Sequence, residues 1–171
     1  MNHSATANEI IEVTQEELSR ASLQKTPQEV LAVFVQPSYD LNPEVIKSSL
    51  CLALDDVQDP GNLGTIIRLA DWFGIEHIFC STGTADVYNP KTVQATMGAL
   101  ARVKVHYCSL PQLIESLTDI PVYGTFLNGN IIYAESLSAH GLIVMGNEGK
   151  GVSLEVEKLI NNKFCLLYTS D

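Results

Sequence analysis

Long apolar runs are the first thing this 171-residue chain lacks. No stretch reaches the roughly 18 apolar residues of a membrane-spanning helix, so a helical membrane protein is excluded. The opening MNHSATANEI has no cationic patch ahead of an apolar core. It does not read as a secretory signal, and the chain is expected to be cytoplasmic. Metal-binding patterns are missing too. Cys51, Cys80, Cys108 and Cys165 form no CxxC and no cysteine–histidine pair at ligand spacing, and read as small core residues. His3, His77, His106 and His140 are scattered and share no i,i+4 face, so no metal site and no catalytic histidine is expected. Positive charge is scarce: 10 Lys and Arg stand against 20 Asp and Glu, for a net charge of −10. That balance argues against a nucleic-acid partner, because Lys and Arg supply most of the affinity for phosphates. The distribution of charge softens the objection. Residues 1–59 carry a net −7 and residues 60–171 only −3, and Arg68, Lys91, Arg102, Lys104 and Lys150 all fall in the second part, where they are free to share a face.

What is present is the pattern of one domain with a short appended segment. Thr14-Gln-Glu-Glu17 is a capping box ahead of a brief helix. VLAVFVQP (30–37) reads as a strand stopped by Pro37, and SYDLNPE as a linker, so residues 1–48 form the leader and 49–171 the main domain. From there apolar strand runs alternate with helices: LCLALDD, NLGTIIRLADWF, HIFCS, PKTVQATMGALA, VKVHY, LPQLIESL, PVYGTF, LIVMG, SLEVEKLI and FCLLY. Strands apolar on both faces, separated by helix-length segments, imply an α/β domain whose parallel sheet is covered by helices on both faces. Helix punctuation agrees: Asn89-Pro90, Ser109 ahead of Pro111 and Ser153 start helices, and Gly74 stops one.

Two stretches go beyond scaffold. In LDDVQDPGNLGTIIRLADWFG (54–74) a tight Pro60-Gly61-Asn62 turn sits at a strand-to-helix junction, where parallel sheets bind ligands. Gly64 allows a close backbone approach, and Gly64 and Arg68 form an i,i+4 pair on one helical face. A capped helix with a solvated arginine would give the same spacing. VMGNEGKGVS (144–153) likewise follows a strand and precedes a helix. It matches neither the Walker loop nor GxGxxG in any register. So many glycines are entropically costly for a mere turn, which suggests a loop whose exposed amides grip a ligand.

Taken together, 54–74 resembles the first motif and 144–153 the second motif of the SpoU-type RNA ribose methyltransferases of the SPOUT superfamily. The stretch VQATMGALARVKV between them is also family-like, and the resemblance covers residues 25 to 160. It implies an α/β SPOUT fold with a C-terminal trefoil knot, a homodimer, S-adenosyl-L-methionine as cofactor, and methylation of a ribose 2′-hydroxyl. Only RNA presents that group, and rRNA is favoured over tRNA. Matched position by position, the resemblance makes Asn62, Arg68 and Glu148 the catalytic set. Arg68 acts as base or, more safely at its high pKa, as a cation that positions phosphate and stabilises an alkoxide. Glu148 beside Arg68 would orient the guanidinium or balance the cofactor's sulfonium, or form only a surface salt bridge. The cofactor would be held mainly by backbone of the loop carrying Thr125, Leu127, Asn128 and Gly129, and of the loop carrying Met145, Gly146, Gly149 and Gly151. RNA would meet Arg68, Lys91, Arg102, Lys104 and Lys150; no metal is implied.

The chain also departs from the family. A third motif is expected near Phe164, but the sequence there reads NNKFCLLYTSD, and residues 1–48 are about half of a family RNA-recognition domain. The expectation is a fragment with an incomplete knot, silent in catalysis and prone to aggregate. A noncatalytic RNA-binding homologue remains the alternative, and an unrelated α/β nucleotide-binding domain a distant third.

Overall fold

The computed structural model describes residues 8–24, 26–132 and 137–165; the opening MNHSATA with His3 and the end of the expected FCLLY strand lie outside them. The chain divides into two compact units at Pro37. In the first, helix α1 (Gln15–Ala21) starts on the predicted capping box: the Thr14 hydroxyl accepts from the Glu17 amide, and the Glu17 carboxylate accepts from the Thr14 amide. The strand expected over 30–37 does not form. Val33, Phe34 and Val35 are exposed, and the segment pairs with no strand among the described residues. Apolar alternation makes a strand only where a neighbour accepts its hydrogen bonds.

The second unit carries the sheet. A 3₁₀ turn (Pro43–Lys47), capped by Asn42, leads into β1 (Leu50–Asp55), α2 (Pro60–Trp72), β2 (His77–Cys80) and α3 (Pro90–Thr96). Then follow β3 (Lys104–Tyr107), α4 (Leu110–Glu115), β4 (Val122–Ile131), β5 (Gly141–Gly146), α5 (Leu154–Glu157) and β6 (Asn162–Cys165). The six strands are all parallel, in the order β3-β2-β1-β5-β4-β6. Period two along β1 divides the core. Leu52 and Leu54 join Leu63, Ile67 and Ala70 of α2, whereas Cys51 and Ala53 join Leu110, Leu113 and Ile114 of α4 and Val156 of α5. Both faces are therefore covered, as the continuous apolar runs required. Cys51 and Cys80 are buried in this core; Cys108 and Cys165 are half-buried.

The helix expected over PKTVQATMGALA is broken. Met97 (φ 51°) and Gly98 (φ 86°) take left-handed conformations after Thr96, and a 3₁₀ turn over Ala99–Ala101 completes the segment. Gly74 (φ 72°) stops α2 as expected. Among the described residues no helix is long and apolar enough to cross a membrane, and no three His, Cys, Asp or Glu side chains gather as metal ligands.

The strand order fixes where a ligand fits. From β1 the chain steps outward to β2 and β3, then returns on the other side, so that β5 lies against β1. The loops leaving β1 and β5 diverge to opposite sides, opening a crevice at the carboxyl ends of these strands. The two motifs leave from there, with Asp55 paired to Gly146 at the last rung.

Candidate active site

The first motif is built as a capped helix start. Asp59 is the N-cap: its Oδ1 accepts from the Asn62 amide at 2.8 Å, and Pro60 occupies the first turn, where no amide is needed. This bond, then the Lys91 charge, holds the Asp59 carboxyl below its ordinary value. Asn62 therefore projects from the first turn of α2 into the crevice. Its Nδ2 donates to Glu148 Oε1 at 3.0 Å, across 86 residues of sequence. Glu148 also accepts, at 3.4 Å each, from the amides of Gln58 and Asp59. Desolvation pushes the Glu148 pKa up, but the bonds from Asn62 and the backbone amides outweigh it, so the carboxylate stays ionised to below its ordinary range.

A cavity of about 250 Å³ lies between the motifs, lined by Val57, Asn62, Thr65, Ile66, Met145, Gly146 and Glu148. Asn62, Thr65 and Ile66 are one stripe of α2 at i, i+3 and i+4. Thr65 also lines a second hollow of about 290 Å³ with Arg68, Leu69, Trp72 and Phe73. Arg68 is exposed there and forms no ion pair among the described residues.

These placements bear on three expectations. Glu148 meets Asn62 rather than Arg68, because Asn62 stands on the first turn of α2 and Arg68 more than a turn further on. The close approach expected at Gly64 exists and is made to α3: a Cβ there would lie 2.6 Å from Ala95 Cβ and 2.6 Å from the Thr92 carbonyl oxygen, so glycine is required where α3 crosses α2. The glycine loop turns three of its amides inward. The Gly149 and Lys150 amides donate to Asn147 Oδ1 at 2.9 Å each, and the Gly151 amide donates to the Asn147 carbonyl oxygen. Gly146 is needed for contact with protein: a Cβ there would stand 2.2 Å from Gly151 and Val152 backbone atoms. Gly151 is needed for its φ of 73°.

Thr125, Leu127, Asn128 and Gly129 fall within β4, not after it, but the ladder is interrupted around them. Thr125 and Asn130 both pair with Phe164, so residues 126–129 leave the ladder. Thr125 Oγ1 bonds the Val144 carbonyl at 3.4 Å. Of the cationic set, Lys91 and Lys150 follow the carboxyl ends of β2 and β5, on the crevice side, with Lys91 3.4 Å from Asp59. Arg102 and Lys104 lie at the amino end of β3, and Arg102 is held bidentate by Asp71 at 2.8 and 2.6 Å. The five cations thus do not form one patch.

Sequence reasoning missed Asn147, whose Nδ2 donates to the Asp56 carbonyl at 2.8 Å. It also missed a pair made by the fold: His77 Nδ1 and His106 Nε2 lie 3.1 Å apart, stacked at 5.4 Å between centroids. The register that sets β3 beside β2 creates it, and no i,i+4 search finds it.

The donor set fits a cationic methyl donor: an ionised carboxylate, one amide and apolar walls, in a cavity that takes one part of a nucleoside-sized molecule. Comparison with known proteins identifies related chains. The profile of the SpoU rRNA Methylase family matches residues 49–168. The chain is 34% identical over 160 residues to the 23S rRNA (guanosine(2553)-2′-O)-methyltransferase RlmP of Bacillus subtilis, covering 91% of this chain and 63% of that protein. Among solved structures, a TrmH-family protein from Porphyromonas gingivalis superposes with a TM-score of 0.77 at 39% identity, covering 93% of this chain and 65% of that one. The SpoU methyltransferase AviRb of Streptomyces viridochromogenes, solved with the cofactor AdoMet (S-adenosyl-L-methionine), superposes with a TM-score of 0.80 at 26% identity, covering 94% and 66%. The chain spans just under two thirds of the length of each of these relatives. With a family profile spanning most of its length, the chain belongs to the SpoU rRNA methylase family.

Proposed function

We propose that this chain is the catalytic module of a cytoplasmic RNA ribose 2′-O-methyltransferase that uses S-adenosyl-L-methionine and acts on rRNA. The observation that carries the reading is the crevice itself, where Asn62 and Glu148 meet across the β1–β5 junction with Arg68 on the next turns of the same helix. The names of its relatives support the substrate class: RlmP acts on 23S rRNA, and AviRb was solved with AdoMet. When bound, the cofactor supplies an electrophilic methyl group on a sulfonium. The chain supplies the rest. Glu148, kept ionised, offers the balancing negative charge and fixes the Asn62 amide; with Nδ2 committed, Asn62 presents Oδ1 as an acceptor. Arg68, through its guanidinium, anchors a phosphate and stabilises the alkoxide that develops as the 2′-hydroxyl passes its proton to solvent water and its oxygen takes up the methyl group. Met145, Gly146, Gly149 and Gly151 with the excursion at Thr125, Leu127, Asn128 and Gly129 shape the cofactor side. Lys91 and Lys150 supply phosphate contacts at the crevice.

The exposed stripe Leu69, Trp72 and Phe73 of α2, beside Arg68, supports assembly as a homodimer. A solution mass of twice the protomer's is the expected outcome by light scattering, and a monodisperse monomer would remove that part of the reading. The test of the chemistry is Arg68→Ala. Transfer of a tritiated methyl group to total RNA should fall by about 100-fold or more, while calorimetry with S-adenosyl-L-methionine changes by less than about threefold. An equal loss of cofactor affinity would move Arg68 into the cofactor site. Cofactor binding without transfer by the unmutated protein would favour a noncatalytic RNA-binding homologue.

A further inference from the structure

Asn147 uses its whole side chain to join the two motifs. Its Oδ1 accepts from the Gly149 and Lys150 amides at 2.9 Å each, closing the glycine loop, while its Nδ2 donates to the Asp56 carbonyl at 2.8 Å, 91 residues away in sequence. The backbone repeats the closure, with Asn147 and Gly151 exchanging amide-to-carbonyl bonds at 2.9 Å. On the receiving side Asp56 holds a left-handed φ of 60°, uncommon for a residue with a side chain. Ser81 Oγ accepts from the Asp56 amide at 2.9 Å, and Gln58 Nε2 donates to the Asp56 carboxylate at 3.3 Å. The unusual conformation is held from three sides. Next to it in sequence, Glu148 reaches the Gln58 and Asp59 amides and Asn62.

From this we infer that Asn147 is a positioning residue: it sets the glycine loop in register with the Asp56–Asp59 turn, so that Glu148 meets Asn62 at the reacting end of the crevice. The inference rests on the methyltransferase reading above. It needs both halves of an amide, one donor and one acceptor, on one short side chain. No other residue offers both charge-free at this length. Aspartate has the same shape and keeps the acceptor, but ionised it turns a lone pair on the Asp56 carbonyl. Protonated, it regains a donor.

Asn147→Asp therefore separates positioning from bulk structure. Asp55 and Asp56 on the β1 side and Glu148 on its own loop disfavour an added charge, whereas Lys150 and the two amides that bond Oδ1 favour it, so the new carboxyl takes up its proton toward the acid end of the accessible range. In the full-length protein, with total RNA and tritiated S-adenosyl-L-methionine as probes, the variant's rate should be about tenfold or more below the unmutated protein's at pH about 8. The ratio of the two rates should rise as the pH is lowered to about 5. Cofactor affinity by calorimetry should stay within about threefold. By hydrogen exchange, the Gly149 and Lys150 amides should remain protected in Asn147→Asp and lose protection in Asn147→Ala. A rate equal to that of the unmutated protein, a loss that does not recover with acid, or a loss matched by cofactor affinity each overturns the inference. If the unmutated protein transfers no methyl group, the methyltransferase reading fails by itself; the exchange contrast then still decides whether Asn147 closes the loop, and equal protection in both variants overturns it.

Discussion

Gly64 shows how a close approach can be legible in a sequence while its partner is not. Glycine inside a helix signals such an approach, and the approach exists, to Ala95 and the Thr92 carbonyl of α3. Gly64→Ala gains up to about 1 kcal/mol of helix propensity. It then drives a Cβ into backbone at 2.6 Å, an overpacking of about 1–3 kcal/mol or more. The expected outcome is a net loss of about 1–2 kcal/mol in urea unfolding, with cofactor binding spared in the folded fraction; a stabilised variant would show that α3 yields easily. Asn62, Arg68 and Glu148 were legible as residues because the two motifs carry them. Their partners were not. Whether Glu148 meets Asn62 or Arg68 depends on contacts 80 or more residues apart in sequence, which no local spacing encodes.

At the scale of elements, strands and helix starts were readable because each has a local cause: apolar runs for strands buried on both faces, Thr14, Asn89 and Ser153 as caps whose side chains accept amide bonds, Gly74 as a stop; Ser109 precedes its helix without a side-chain cap bond. The segment 30–37 failed for the complementary reason, since strand formation needs a partner the pattern does not specify. The same non-locality produced the β2–β3 histidine pair. His106 is buried and stacks on Phe79 at 5.1 Å and on His77 at 5.4 Å, with Tyr39 edge-on at 6.1 Å. Burial, then His77 and Lys104, lowers the His106 pKa; burial, then Lys104, lowers that of His77 against the opposing pull of Glu76. A depressed histidine pKa means that the unfolded chain takes up protons first. Stability is then full above the ordinary histidine value of about 6.5 and is lost as the pH falls from there through the folded values. His106→Phe keeps the stack and removes one titrating group. It should flatten the dependence of urea stability on pH between about 6.5 and 5; an unchanged slope would assign the loss to other groups.

At the scale of the whole molecule, the strand order does more than any single motif. Placing β5 against β1 brings together loops that begin about 90 residues apart, Asp56–Asn62 and Asn147–Gly151, and makes one site of two motifs. The six-stranded all-parallel sheet was legible in outline from continuous apolar runs, yet the order that creates the crevice was not: the polar residues of β3 and β6 mark them as edge strands, but β1, β2 and β5 are alike in being apolar. The function proposed for this crevice is transfer of a methyl group to a ribose oxygen. The most direct measurement incubates the full-length protein with tritiated S-adenosyl-L-methionine and unmodified 23S rRNA, digests the RNA to nucleosides and separates them. The label is expected in a 2′-O-methylribonucleoside and is expected to disappear with Arg68→Ala. Label confined to methylated bases, or ribose label undiminished in Arg68→Ala, would contradict it.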